Sequence, residues 1–206
     1  MSNTGRPNLG FTALNIRIHI NKMSVHQMFV TKDVLVYGTR AAVDMVMSRM
    51  VKKGAIMRLA RGVFMKICPE VKLVLPSVWE VARAKARAFG KKLFEHGADL
   101  AAKLGLPAVA NAEPTYITDG PPTSFRYGEK RIYFKTAAPR KVNLAELNQG
   151  ALINALWFPG QRRVNGRNLG DATRRIGREE RHDLHSSMRF MPTWLSEYFC
   201  PIWKTA

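Results

Sequence analysis

The chain has 206 residues, and 33 lysines and arginines against 15 aspartates and glutamates give a formal net charge of +18 at pH 7. No apolar run approaches the ~20 residues that span a bilayer, and the polar residues 1–10 lack the hydrophobic centre of a signal peptide, so we expect a cytoplasmic protein without a membrane segment. A cationic excess of this size predicts a polyanionic partner, because basic side chains laid on phosphates release condensed counterions.

The first predicted element covers Leu14–Met23, and its apolar pattern fits two structures. Ile16, Ile18 and Ile20 alternate as they would in a strand, whereas Ile16, Ile20 and Met23 also lie on one helical face. We predict a helix, because the elements that follow need a supporting helix.

A short second helix is predicted to begin at Thr31, which is a good N-cap residue. Asp33 in the first turn suits the helix dipole, Val34 and Leu35 are apolar, and Gly38 is a typical C-terminal stop. The length of this element and its glycine break are typical of the first helix of a helix-turn-helix.

The third helix is predicted with the strongest local signals. Thr39 caps it, Lys52 and Lys53 suit the dipole of its last turn, and Gly54 ends it. One apolar stripe runs along the helix at Val43, Val46, Met47, Met50 and Val51.

Ile56–Met65 reads as two short β-prone pieces around Ala60, Arg61 and Gly62, which predicts a tight hairpin. Three helices followed by a basic hairpin are in the order of a winged helix-turn-helix. We therefore predict that residues 11–67 form a winged helix-turn-helix that binds double-stranded DNA.

Residues 77–158 are predicted to form a small α+β domain, so that the whole chain belongs to the α+β class. Residues 67–76 before it read as a linker or a short strand. The predicted elements of this domain are helices over Val78–Phe89, Asp99–Leu104 and Leu144–Phe158, and strands over Thr115–Ile117, Ser124–Tyr127 and Arg131–Lys135.

Residues 159–206 differ in composition from the rest of the chain. The part up to Glu180 is rich in arginine and glycine and poor in apolar residues, which predicts a basic, flexible segment. An aromatic cluster follows, and we expect it to dock on the body of the protein or on a partner chain; it comprises Phe190, Trp194, Tyr198, Phe199 and Trp203.

The face of the third helix opposite its apolar stripe is predicted to read DNA. The residues expected to face bases are Arg40, Ala41, Asp44, Met45 and Ser48, with Thr39 at the start of the helix. The residues expected to hold the DNA backbone are Thr31, Lys32, Arg49, Lys52, Arg58 and Arg61. A solvated polar face and a hairpin that serves only solubility are the alternative interpretations.

No arrangement of residues predicts catalysis or a cofactor. The chain has no GxGxxG, GxxxxGK[ST] or GxSxG motif. His182 and His185, with Cys200, lack the companion motifs of a metal site, so we expect solvated histidines. Cys68 and Cys200 are expected to be free thiols, and the protein is not expected to be an enzyme.

Several runs resemble the antitoxins of the AbiEi type, which belong to type IV toxin–antitoxin systems and to related mobile elements. The resemblance covers roughly residues 15–158. In the winged helix the similar runs are 31–33 (TKD), 37–44 (YGTRAAVD), 48–54 (SRMVKKG) and 58–64 (RLARGVF). In the second domain they are 81–84 (VARA), 96–98 (HGA), 101–106 (AAKLGL) and 116–120 (YITDG).

The resemblance implies a transcriptional regulator that binds inverted repeats upstream of its own operon, and we expect it to act as a repressor there. A homodimer is one partner arrangement that the sequence leaves open. The resemblance also implies a genetically linked partner, a nucleotidyltransferase-like toxin. Two other hypotheses stay open from the sequence: a protein-interaction or dimerisation module built on the second domain and the aromatic tail, and an RNA-binding protein that uses the arginine-rich segment 162–181.

Overall fold

The computed structural model describes residues 9–174 and 187–204 and has a mixed α+β architecture with two small sheets, which confirms the predicted class. The chain divides into two compact units. The first groups the described residues up to Lys91 with Phe125–Glu129, and the second groups Lys92–Ser124 with the described residues from Lys130 onward. This division differs from the predicted domain borders at residues 67, 77 and 158.

The first unit consists of helices and a three-stranded antiparallel sheet, whose strands lie between the helices along the chain. Its elements are α1 (Leu9–Asn21), β1 (Met28–Val30), α2 (Thr31–Val34) with a 3₁₀ turn (Leu35–Tyr37), α3 (Arg40–Lys52), β2 (Ile56–Ala60), β3 (Val63–Lys66) and α4 (Val78–Ala88). The sheet order is β1-β3-β2, and Phe29 pairs with Phe64 across β1 and β3. Residues 67–76 between β3 and α4 form neither helix nor strand.

The burial pattern of α1 confirms that Leu14–Met23 belongs to a helix, although the helix begins earlier and ends at Asn21. Ile16 and Ile20 are buried, while Ile18 is 44% exposed. Since three alternating residues of a strand would share one face, this difference arises only from the helical period.

The second predicted helix begins differently from our expectation, because a strand runs directly into it. Val30, the last residue of β1, is the N-cap, and its N–H donates to the Asp33 carboxylate at 2.9 Å. Thr31 is therefore not the cap: it is the first helical residue and is 5% exposed. Strand β1 was not predicted from the sequence.

Helix α3 confirms its local signals. The Thr39 hydroxyl caps it by accepting the Ala42 N–H at 3.3 Å, and Gly54 follows in the left-handed region with φ +69°. The buried residues of its apolar stripe are Val43, Val46, Met47 and Met50, with Val51 half-buried.

The predicted hairpin is also confirmed. β2 and β3 pair across a turn at Arg61–Gly62, and the register shifts by one residue between Arg58 and Ala60. Gly62 has φ +81°, a backbone conformation that glycine adopts without a steric penalty.

Helix α4 completes the first unit by packing on the sheet. Ser77 and Glu80 form a reciprocal capping box at its start. Val81 and Ala84 lie in a buried cluster with sheet residues of β1, β2 and β3, namely Val30, Leu59, Val63 and Met65. Helix α4 therefore belongs to the first unit, together with the residues that precede it.

The second unit contains β4 (Leu93–Glu95), α5 (Gly97–Lys103), β5 (Thr115–Thr118), β7 (Lys130–Thr136), α6 (Pro139–Ala145), α7 (Gly150–Trp157), α8 (Gly166–Arg174) and α9 (Thr193–Lys204). β6 (Thr123–Tyr127) contributes residues to both units. The strand order is β4-β5-β7-β6, with β4 antiparallel and β7 parallel to β5. The predicted strands near β5, β6 and β7 are thereby confirmed, and β4 was missed.

The single helix predicted over Leu144–Phe158 is wrong, because the chain forms two helices there. α6 ends at Ala145, and α7 begins at Gly150. A Cβ atom on Gly150 would lie only 2.0 Å from the Leu144 carbonyl oxygen, so the reversal between the helices needs a residue without a side chain.

The C-terminal part packs into the core of the second unit as far as it is described. Val164, Leu169, Leu195 and Phe199 are buried with residues of α5 and α7. Phe190, Trp194 and Tyr198 pack against the same cluster, as expected for an aromatic segment that docks on its own chain. The predicted flexible segment includes α8, while Arg175, Arg178, His182 and His185 lie outside the described residues.

Candidate nucleic-acid interface

The base-facing side chains expected on α3 share one accessible face. Arg40, Ala41, Asp44 and Met45 are exposed, and Ser48 is half-exposed. They lie opposite the buried stripe because residues three and four apart repeat on one side of a helix. Met45 is 45% exposed, which leaves an apolar side chain in water on this face.

Two of these residues neutralise each other. The Arg40 Nε donates to the Asp44 carboxylate at 2.9 Å, and both side chains are largely exposed. An exposed pair of this kind contributes little to stability. Arg40 can therefore exchange Asp44 for another acceptor, such as a phosphate, at small cost.

Arg49 lies on the opposite side of α3 from Arg40, one turn after Met45. Together with Arg17 of α1 and Lys53 it lines an open groove of about 310 Å³, whose floor includes Val46 and Met50. Arg17 and Lys53 were not predicted, because a groove between two helices has no signature in either helix alone. Lys52, the next predicted residue, is exposed.

The β2–β3 hairpin presents Arg58 and Arg61 to solvent, as expected. The Arg58 guanidinium lies over the Phe64 ring, 5.4 Å from its centroid, which orients it by a cation–π contact. Arg61 lies in the turn beside Gly62 and is exposed. The hairpin thus carries one oriented arginine and one at its tip.

At the start of α2, Lys32 and Thr31 differ. Lys32 is exposed, whereas the buried Thr31 side chain cannot reach a ligand. Instead the Thr31 N–H donates to the carbonyl oxygen of Gly62 at 3.1 Å. Thr31 therefore holds the hairpin turn, and its burial argues against the predicted contact of its side chain with the DNA backbone.

A lysine outside the predicted set also contacts the hairpin turn. Lys85 of α4 is 6% exposed, and its Nζ donates to the carbonyl oxygen of Arg61 at 2.5 Å. Burial lowers the pKa of Lys85, and the nearby Arg61 charge lowers that pKa further. The sequence signal was weak, because Lys85 stands among alternating alanines and basic residues that are typical of a solvated helix face.

In the second unit, His96 is the centre of a polar cluster. Its Nδ1 accepts the Ala98 N–H at 3.2 Å as the cap of α5 and lies 3.1 Å from Asn111 Nδ2. The Asp99 carboxylate accepts both the N–H and the side-chain amide of Asn111. Burial and then the Lys135 charge lower the pKa of His96, so the imidazole is neutral at pH 7. These contacts fix the loop that follows α5.

Within residues 9–174 and 187–204, no group of three or more His, Cys, Asp or Glu side chains is arranged to hold a metal ion. Over the same residues, no helix has both the length and the apolar character needed to cross a bilayer. Cys68 and Cys200 are free thiols.

No curated protein and no solved structure matches the chain. A family model described as "Family of unknown function (DUF6088)" matches residues 15–184, which is most of the chain. The protein therefore belongs to the DUF6088 family.

Proposed function

We propose that the protein is a sequence-specific double-stranded DNA-binding regulator whose first unit is a winged helix-turn-helix. The observation that carries the proposal is topological. The order α1-β1-α2-α3-β2-β3, with an antiparallel sheet in the order β1-β3-β2, is the order expected for a supporting helix, a helix-turn-helix and a wing, and it supports the proposal. In this arrangement α3 is the recognition helix and the β2–β3 hairpin is the wing.

The surface of α3 suits a major groove. Ala41 is small, so the backbone of the first turn can approach the groove floor. Ser48 can donate to or accept from base edges, and the exposed Met45 can contact a thymine methyl group. The Asp44 carboxylate can accept from a cytosine amino group once Arg40 has turned to a phosphate.

The flanking cations supply affinity that does not depend on sequence. Lys32, Lys52, Arg58 and Arg61 are exposed, and none of them is in an ion pair with a carboxylate of the described residues. Cations without an acidic partner gain most from phosphate, because each contact releases a counterion. Arginine on a wing suits either the narrow minor groove or the flanking phosphates.

We also propose, on the resemblance to AbiEi-type antitoxins, that the DNA target is an inverted repeat upstream of the gene for this protein. A homodimer reads such a repeat with two recognition helices about one helical turn apart. The proposed partner is a nucleotidyltransferase-like toxin encoded beside it. Co-purification of the two proteins after joint expression tests the partner separately from DNA binding.

The test of DNA binding uses the full chain and duplexes selected from a random library, with affinity measured by fluorescence anisotropy between 50 and 200 mM salt. Arg58→Ala with Arg61→Ala is expected to weaken binding to every duplex alike. If each arginine contacts one phosphate, the salt slope falls by about 1.8, so the loss is roughly tenfold larger at 50 mM than at 200 mM. Met45→Ala and Ser48→Ala are expected to change the preferred sequence instead.

A matched control removes two exposed arginines elsewhere. Arg162→Ala with Arg163→Ala deletes the same charge from the second unit. A larger loss of duplex affinity in this control moves the DNA contact to the arginine-rich segment. Tighter binding of structured RNA than of duplex in direct competition favours the arginine-rich RNA-binding hypothesis. Unchanged duplex affinity of the Arg58/Arg61 variant at every salt concentration refutes the wing.

A further inference from the structure

Helix α4 lies outside residues 11–67, the segment predicted to bind DNA. It nevertheless contacts that segment at two places, the turn of the β2–β3 hairpin and the start of α2. Lys85 donates to the Arg61 carbonyl oxygen at the tip of the hairpin. Two residues later, Arg87 Nη2 donates to the Asp33 carboxylate at 2.9 Å, and that carboxylate also accepts the Val30 N–H where α2 begins. The helix therefore joins the hairpin turn to the start of the helix-turn-helix.

The hairpin turn is held from two sides. The Gly62 carbonyl accepts the Thr31 N–H at 3.1 Å, and the neighbouring Arg61 carbonyl accepts the Lys85 ammonium. A turn at a glycine with positive φ is otherwise free to shift, because glycine restricts the backbone least. Both carbonyls of the two-residue turn thus have fixed donors from other elements.

Stability alone does not account for the charge on Lys85. The ammonium is buried among the Phe89 and Phe125 rings, 5.1 and 5.7 Å from their centroids, and no carboxylate in the described part of the chain forms an ion pair with it. Burying a charge without an opposite charge opposes folding, and the Arg61 charge adds repulsion, whereas the two cation–π contacts and the hydrogen bond to the Arg61 carbonyl offset part of this cost. An apolar side chain of the same length avoids the desolvation cost but loses these contacts.

We propose that Lys85 is a positioning residue of the wing: it fixes the turn from which Arg61 projects, so that the guanidinium meets DNA already ordered. This inference rests on the proposed DNA-binding function and extends the DNA-binding unit to α4. A turn that is ordered before binding loses less conformational entropy in the complex. Lys85 thereby acts on affinity through Arg61 and does not itself contact DNA.

The test compares Lys85→Met with Lys91→Met in the full chain. Lys91 is exposed and belongs to the same unit, so both variants lose one charge and gain the same side chain. Lys85→Met is expected to keep a thermal stability close to that of the wild type, because the relieved desolvation offsets the lost contacts, and to bind duplex roughly tenfold more weakly. It is also expected to show faster hydrogen exchange of the amides at residues 61–63, whereas Lys91→Met leaves that exchange unchanged.

Coupling to Arg61 separates positioning from a merely structural role. Arg61→Ala is expected to weaken duplex binding in the wild type and to cost much less in the Lys85→Met background. Equal losses in the two backgrounds, or a Lys85→Met variant that matches Lys91→Met in affinity and exchange, overturn the proposal. If Lys85→Met does not fold, Lys85→Leu, which also removes the donor, is measured in the same way, and the same outcomes decide the proposal.

Failure of the two proposals can be distinguished. A wild-type protein that selects no duplex refutes the DNA-binding function, and unchanged exchange at residues 61–63 then also refutes the hold of Lys85 on the turn. A wild-type protein that binds duplex and depends on Arg61, but not on Lys85, refutes only the positioning role.

Discussion

Replacing Gly150 by alanine places one carbon atom where the structure has no room for it. The new Cβ would lie 2.0 Å from the Leu144 carbonyl oxygen and 2.8 Å from the Ala145 Cα, both of them backbone atoms of α6. The two helices must separate by about 1 Å to relieve this overlap, and α7 carries Ile153 and Leu156, which are fully buried. We expect Gly150→Ala to lower the free energy of unfolding by about 3 kcal/mol.

Gly170→Ala is the matched control, because Gly170 lies inside α8 and a Cβ there meets no atom within 4 Å. Alanine is the better helix former, so this variant is expected to gain about 0.5–1 kcal/mol. Thermal unfolding followed by circular dichroism measures both, and 3 kcal/mol corresponds to a fall in Tm of roughly 6–12 °C. Equal shifts in the two variants would refute the steric reasoning.

Two further predictions concern charge. Because the pKa of His96 is lowered in the folded protein, the unfolded chain binds more protons below pH 6.5, and stability should fall as the pH decreases from 6.5 towards the folded pKa. Urea unfolding between pH 5 and 8 should show this fall in the wild type and a weaker one in His96→Gln; identical profiles would contradict it. Asp44→Asn releases Arg40 from its ion pair and removes a carboxylate from the α3 face, so duplex that lacks the preferred sequence should bind roughly twofold to fivefold more tightly, with stability changed by less than about 0.5 kcal/mol. Asp171→Asn, which releases Arg174 in the second unit, is the control, and an equal gain there would reduce the Asp44 effect to net charge alone.

Under the DNA-binding proposal, the contacts of the hairpin turn assign two different roles to the residues around it. Arg58 and Arg61 present charge, whereas Thr31 and Lys85 each hold one carbonyl of the turn. Thr31, which the sequence pattern placed on the DNA backbone, is then expected to influence affinity only through the position of the turn. Its backbone N–H makes the contact, so a Thr31→Ser variant should preserve it.

Elements stabilised by neighbours in sequence were predictable from the sequence. Helix α3 is one: its Thr39 cap, its apolar stripe and its terminal Gly54 act within a few residues of one another, so they can be read without knowing the fold. The capping box at Ser77 and Glu80 and the turn at Arg61–Gly62 are local in the same sense.

Features that depend on distant partners were decided only by the tertiary structure. The three residues of β1 form a strand because β3, more than thirty residues later, pairs with them, and this pairing moved the cap of α2 from Thr31 to Val30. The sequence pattern of Ile16, Ile18 and Ile20 fits both a helix and a strand. Only the tertiary packing, which buries Ile16 and Ile20 and leaves Ile18 exposed, distinguishes the two. The break at Gly150 reflects the close approach of two helices, which no single segment encodes.

The accessible face of α3 and the basic hairpin follow from the amino-acid sequence itself, because periodicity and turn chemistry are properties of short segments. The fold decides which basic residues lie close together and which groups hold them in place. Arg17 lines a groove with Arg49, and Lys85 donates to the Arg61 carbonyl, although the partners are far apart in sequence. The physical reason is that burial and hydrogen bonding act through space, and the chain must fold before a lysine among alanines becomes a buried donor.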